Sequence, residues 1–195
     1  MDIPDPQKVI LIHGGFGHPM NFRDTPRRLE ERGHEVRAMK YGMFGLAPFP
    51  ECVRQARQTI LDWDIDTAEW TIVAHSLGGM VAGHLANEFA FRRLIGLGAC
   101  FRGLPPTAFM RKDLADPVNF PDLHSVRTEL VALVSSHDEV VPEYSSVLPE
   151  YLGTTYRVYG RSHTALPNSP EIVDLVEAPN TVPPMNGSAD EFRIY

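Results

Sequence analysis

The chain has 195 residues, 43% of them hydrophobic, and 18 Lys and Arg against 25 Asp and Glu give it a net charge of −7. That length makes one domain with a buried core, and the acidic balance, with pI ≈ 5.6, argues against nucleic acid and anionic membrane surfaces as partners. Two cysteines, Cys52 and Cys100, suggest neither a disulfide framework nor a metal site, and no apolar stretch approaches the roughly 20 residues of a membrane span.

The first predicted strand covers residues 8–12, where Val9-Ile10-Leu11-Ile12 runs into His13-Gly14-Gly15-Phe16-Gly17. It begins almost at once and leaves no room for a secretory h-region. That predicts a cytoplasmic protein, unless a leader has been removed. The glycine run lacks both the Gly-x-Gly-x-x-Gly spacing and the Lys-Ser/Thr ending of a phosphate cradle. It suits a different task, the fixed backbone donors that an oxyanion needs. Gly15 is the expected donor, with Phe16 as the alternative, and His13 is expected to hold the loop by hydrogen bonds. A helix is predicted over 20–32 and a strand over 35–39. The apolar loop that follows carries Tyr41, Met43, Phe44, Leu46 and Phe49, with Gly42 and Gly45 giving it freedom to move. A helix over 50–62 leads to Asp62, Asp64 and Asp66, read as a solvated turn.

A strand over 70–75 enters the octet Ile72-Val73-Ala74-His75-Ser76-Leu77-Gly78-Gly79. Apolar residues at helical spacing follow, predicting a helix over 77–90. So sharp a turn from strand to helix strains its middle residue, demands small neighbours, and stands the serine hydroxyl above the sheet at a helix N-terminus. The Leu77 N–H is the second expected oxyanion donor. A strand over 94–98 precedes a stretch, 101–128, that is broken by four prolines and too aperiodic to form a large cap. The next strand, 129–135, ends in Ser135-Ser136-His137-Asp138. A helix over 142–152, a strand over 155–159 ending in Gly160-Arg161-Ser162-His163, and a helix over 169–177 complete the pattern. This alternation predicts an α/β fold, a mostly parallel sheet of about six strands with helices on both faces. The boundaries read as one domain over 1–178 and a Pro-rich tail over 179–195. The alternating tail end, Phe192-Arg193-Ile194-Tyr195, offers a homodimer contact or a frayed end. Asn186-Gly187-Ser188 matches a glycosylation sequon and is discounted without a signal peptide.

Ser76, Asp138 and His163 follow one another in the chain order of a Ser-acid-His triad, each at a strand end. With His13-Gly14-Gly15 and the Ala74-His75-Ser76-Leu77-Gly78-Gly79 turn, they give the chain a resemblance to the small, nearly lidless lipases and esterases of the α/β-hydrolase superfamily. The resemblance runs from about Val9 to about Val176. It implies a minimal α/β-hydrolase without a large cap domain, Ser76 as nucleophile, His163 as base, Asp138 as its orienting acid, and oxyanion donors at Gly15 and Leu77. His75 is not expected to be the base, because adjacent residues in such a turn point apart, and His137, next to Asp138, is likewise expected to be a bystander. The apolar loops nominate Phe16, Met43, Phe44, Phe101 and Leu166 as substrate-binding residues, with about half of the loop Phe and Met expected in the core. Arg102 and Arg161 are the nearest cations.

The expected activity is cleavage of carboxylic esters with apolar acyl groups, with no cofactor and no metal. The alternative is a thioesterase or acyltransferase acting on a carrier-bound acyl chain. A low-turnover binding member or a lyase on the same scaffold are lesser readings. Partners are then a small-molecule acyl ester or thioester, no nucleic acid, and a second copy of the chain through the tail.

Overall fold

The computed structural model describes residues 5–105 and 111–179. Six apolar runs form six strands, β1 Lys8–Ile12, β2 Glu35–Met39, β3 Trp70–His75, β4 Arg93–Leu97, β5 Glu129–Ser135 and β6 Gly153–Val158. All pair in parallel in the order β2-β1-β3-β4-β5-β6. The inner strands β3 and β4 are buried along their whole length, as expected of a parallel sheet covered on both faces. Side chains alternate between the two faces. Ile10, Ile12, Ile72 and Ala74 face one core with Phe49, Ala56, Ile60, Met80 and Leu85. Val9, Leu11, Val73, Ile95 and Leu133 face the other with Leu29, Ile172 and Val176.

Among the described residues the layers are completed by α1 Thr25–Glu31, α3 Phe49–Trp63, α4 Leu77–Glu88, α5 Glu143–Ser146 and α6 Glu171–Glu177, while α2 Gly42–Gly45 is a single turn of positive-φ backbone in the loop after β2. Two expected helices are shorter than predicted. The 20–32 segment breaks at Phe22, whose backbone leaves the helical region, and α1 starts only at Thr25, with Pro26 in its first turn where the missing N–H costs nothing. The 142–152 segment keeps a single turn, because Val147 is extended and Leu148 precedes a proline. Asp64 ends α3 in the left-handed region and Asp66 caps the next turn, so the acidic run serves as a turn. Among the described residues no group of side chains could hold a metal ion, and no helix is long and apolar enough to cross a membrane. The tail, with its expected homodimer contact, lies outside the described residues from position 180 onward.

One buried cation ties the base of the sheet. Arg93, 1% exposed, pairs with Glu129 and donates to the carbonyls of Leu175 at 2.6 Å, Ala178 at 3.0 Å and Pro179 at 2.9 Å. It thereby satisfies carbonyls that the end of α6 leaves open.

Candidate active site

Strand order reverses between β1 and β3, and the carboxyl ends of the strands there gather the expected site. Ser76 joins β3 to α4 with φ 56° and ψ −125°, a conformation that side chains rarely adopt and that persists only where the surroundings impose it. The Ser76 carbonyl accepts from Gly79 and Cys100, and its N–H donates to Leu97. Small residues let the turn close. A Cβ at Gly78 would stand 2.5 Å from the His13 carbonyl oxygen, and one at Gly14 would stand 2.8 Å from Ser76 Cβ.

The expected acid and base, Asp138 and His163, come from the loops after β5 and β6. His163 Nδ1 lies 2.8 Å from Asp138 Oδ2, with both side chains 6% exposed. The other oxygen, Oδ1, accepts from the N–H groups of Val140 at 2.9 Å and Val141 at 2.8 Å. Burial opposes ionisation of Asp138, but the hydrogen bonds from His163 and from those two amides outweigh it and hold its pKa below the ordinary carboxylate value. Glu139 does not touch the imidazole. Its Oε2 accepts from the His163 main-chain N–H at 3.0 Å. With Nδ1 on Asp138, the ring keeps Nε2 as its remaining functional atom. The Ser76 hydroxyl has no hydrogen-bond partner among the described residues.

Backbone donors are set beside this pair. The Gly14 carbonyl is engaged by His13 Nδ1 at 2.8 Å and by the Gly17 N–H at 3.2 Å. In a trans peptide the N–H points opposite the C=O, so the Gly15 N–H faces away from those partners and has no acceptor among the described residues. Leu77 opens α4, and its N–H is one of the orphans of a helix start. Tyr41 stacks on His13 at 4.5 Å and its hydroxyl donates to the His13 carbonyl at 2.6 Å. The expectation that His13 holds the loop therefore agrees with its contacts.

A cavity of about 350 Å³ opens on these groups, lined by Gly14, Gly15, Ser76, Leu77 and His163 together with Phe16, Leu46, Leu104, Leu114 and Val140. A depression of about 340 Å³ at the amino ends of β5 and β6 holds no such pair of nucleophile and base. No protein-family model matches the sequence, and comparison with curated proteins finds no match. Solved structures do match. The ydeN gene product of B. subtilis superposes with TM-score 0.71 at 16% identity, over 87% of this chain and 96% of that one. LipS and LipT, two metagenome-derived lipolytic enzymes, give 0.65 at 15% identity over 89% and 91%. ClbQ from the colibactin NRPS/PKS pathway gives 0.59 at 14% identity over 88% and 94%.

The chain has the α/β-hydrolase fold.

Within this α/β-hydrolase scaffold, the expected substrate-binding residues divide. Phe16 lines the cavity mouth. Met43 and Phe44, 77% and 56% exposed, stand outside the cavity on a shallow neighbouring depression. Both have positive φ, as does Phe16. The loop that carries them is tied at three carbonyls, Phe44 accepting from Gly17 and Gly45 and Ala47 accepting from Arg111. Phe101 and Leu166 are corrections, since both are core. The Phe101 ring fills the space that a side chain at Gly96 would need, and Leu166 packs beneath the Asp138–His163 pair against Gly98.

Several site residues escape a sequence reading, Leu114 and Val140 of the cavity wall among them. Arg111, from the aperiodic stretch, enters the cavity wall. Its charge is matched by Asp113, so the cavity is not an anion trap, while Arg102 binds the Tyr144 carbonyl and Arg161 pairs with Glu171. Gly98, at φ 48°, leaves room beneath the acid–base pair. His75 does not point away. It lines the cavity, its ring sits 4.4 Å from that of His163, and burial followed by the His163 charge lowers its pKa to about 3. His137, by contrast, is a bystander that accepts from Gly160 at 3.2 Å. Burial pushes Cys100 up to about 12, so its thiol stays protonated and inert.

Proposed function

We propose that this protein is a serine hydrolase that cleaves carboxylic esters with apolar acyl groups through an acyl-serine. The observation that carries this reading is the convergence on one cavity of a strained Ser76, an imidazole oriented by Asp138, and the open N–H groups of Gly15 and Leu77. His163 Nε2 takes the Ser76 proton as the oxygen attacks the acyl carbon. Asp138 holds the tautomer with the proton on Nδ1 and stabilises the imidazolium. The Gly15 and Leu77 N–H groups meet the developing oxyanion. The imidazolium returns its proton to the leaving alcohol, and water, deprotonated by the same nitrogen, releases the acid and frees Ser76. Leu46, Leu104, Leu114 and Val140 offer the acyl chain an apolar wall.

A second reading, cleavage of a carrier-bound thioester, is supported by the likeness to ClbQ from an NRPS/PKS pathway. The test is covalent. An uncharged alkyl phosphonate should label Ser76 stoichiometrically in the wild type and not in Ser76→Ala, and p-nitrophenyl esters should be hydrolysed in parallel. Absence of both overturns the hydrolase reading. Turnover of an acyl thioester far above that of the matching oxoester selects the second reading.

A further inference from the structure

The base is held at every polar atom but one. His163 Nδ1 is fixed by Asp138 at 2.8 Å, its main-chain N–H by Glu139 at 3.0 Å, and its carbonyl by His75 Nε2 at 3.0 Å. The last contact is unusual in origin, because His75 is the residue immediately before the expected nucleophile. The end of β3 therefore supplies both the attacking hydroxyl and an anchor for the base that serves it. A carbonyl only accepts, so this bond places a proton on His75 Nε2. The two rings face each other at 4.4 Å with an interplanar angle of 38°, and both residues are buried, 6% and 5% exposed.

We infer that His75 is a positioning residue for acyl transfer, its Nε2–H pinning the His163 main chain so that the imidazole is kept in the cavity it shares with Ser76. The inference rests on the serine-hydrolase reading. Its physical content is angular. The loop after β6 leaves the edge of the sheet, where only β5 flanks it, and Asp138 alone restrains the ring as a pivot does. A pivot permits rotation about the Oδ2–Nδ1 line, and the His75 and Glu139 contacts on the main chain remove that freedom. The neutral state of His75 also matters. A second cation stacked on His163 would oppose the imidazolium that forms during attack, and its burial and the neighbouring His163 keep His75 uncharged at ordinary pH. Asp138 and, more distantly, His13 are the other titratable groups that act on it.

The experiment compares wild type, H75L, which removes the donor, and H75Q, which restores an N–H donor. It measures kcat and KM for p-nitrophenyl butyrate, the rate of phosphonate labelling at Ser76, and Tm. H75L should lose about 10–100-fold in kcat and in labelling rate, as misplacement of a reacting group does, with KM within about twofold. H75Q should recover most of the loss at a similar Tm. H75F carries the same comparison if H75L does not fold. H75L within threefold of wild type overturns the inference, and so does H75Q no better than H75L. A wild type that is never labelled at Ser76 overturns the hydrolase reading and this inference with it. A wild type that labels normally beside an H75L that labels equally well overturns the inference alone.

Discussion

Gly98→Ala is a single added carbon beneath the acid–base pair, and its cost can be worked from contacts. Gly98 has φ 48°, where a non-glycine residue costs about 1–2 kcal/mol. The new Cβ would stand 2.6 Å from Asp138 Oδ2, 2.8 Å from Leu166 Cδ1 and 3.3 Å from His163 Nδ1. Ordinary contact needs about 3.5 Å, so the carboxylate must retreat by roughly 0.5–1 Å. It cannot do so freely, because Oδ1 is tethered by two amides. Weakening one charge-assisted bond adds about 1.5–3 kcal/mol. The sum, about 2.5–5 kcal/mol, lowers Tm by roughly 5–20 °C in a chain of this size. A displacement near 1 Å in the catalytic group costs about 100-fold in turnover, with KM little changed. The assays are calorimetry, steady-state kinetics on a soluble ester, and the low-field proton NMR signal of the His163 Nδ1–H, which should shift or broaden. A Gly98→Ala protein within threefold of wild-type kcat and within 2 °C of its Tm, limits set by roughly 0.6 kcal/mol, would refute the placement of the pair.

Asp138→Asn should slow catalysis by roughly 10⁴ with substrate binding retained, whereas Glu139→Gln, which keeps an acceptor for the His163 N–H, should cost less than about tenfold in kcat/KM by the neutral-bond magnitude; equal losses would mean that the acid is misassigned. Asp138 and Glu177, the latter held down chiefly by Arg32, have depressed pKa values in the folded state. Their contribution to stability is therefore complete above about pH 5 and is lost as pH falls below about 4, and Tm measured from pH 7 to 3 should drop most steeply at the acid end. Arg93→Met removes the buried ion pair to Glu129 and the donors to three carbonyls, and should cost about 3–5 kcal/mol, read by denaturant unfolding without loss of the site's labelling chemistry in the surviving folded fraction. Across p-nitrophenyl esters, kcat/KM should rise about fourfold per methylene, the worth of one buried CH₂, until a cavity of about 350 Å³ is full, and should show no jump as the substrate passes its solubility limit.

The strands were the most legible part of the chain, because a strand buried on both faces must be apolar throughout. The expected β1, β3 and β5 coincide with the observed ones, as does β2, although it stands at the sheet edge and only Met39 in it is buried. Helix ends were less legible where a proline lay close by, as before Pro149. In the site, Ser76, Asp138 and His163 could be placed because strand ends are readable and the turn chemistry is specific. The direction of His75 could not, since the strained turn rotates its neighbour by an amount that no pattern encodes. Phe101 and Leu166 look like pocket residues by type alone. Only the space left by Gly96, five residues before Phe101, and by Gly98, far from Leu166 in sequence, reveals where their side chains go. Arg111 lay hidden because an aperiodic segment offers no face to assign it to.

The sheet order carries a consequence for how the molecule is made. From β3 onward each strand is added beside its predecessor, β3, β4, β5, then β6, so the sheet can grow outward at one edge as a ribosome delivers the chain. The elbow serine therefore follows only three strands, β1, β2 and β3, and precedes both strands that lead to Asp138 and His163. The acid follows β5, and the imidazole comes only with the last strand. A nascent chain shorter than about His163 would hold the nucleophile but no proton acceptor to arm it. On the serine-hydrolase reading, reactivity at Ser76 would then appear only once β6 and the turn that carries His163 are in place.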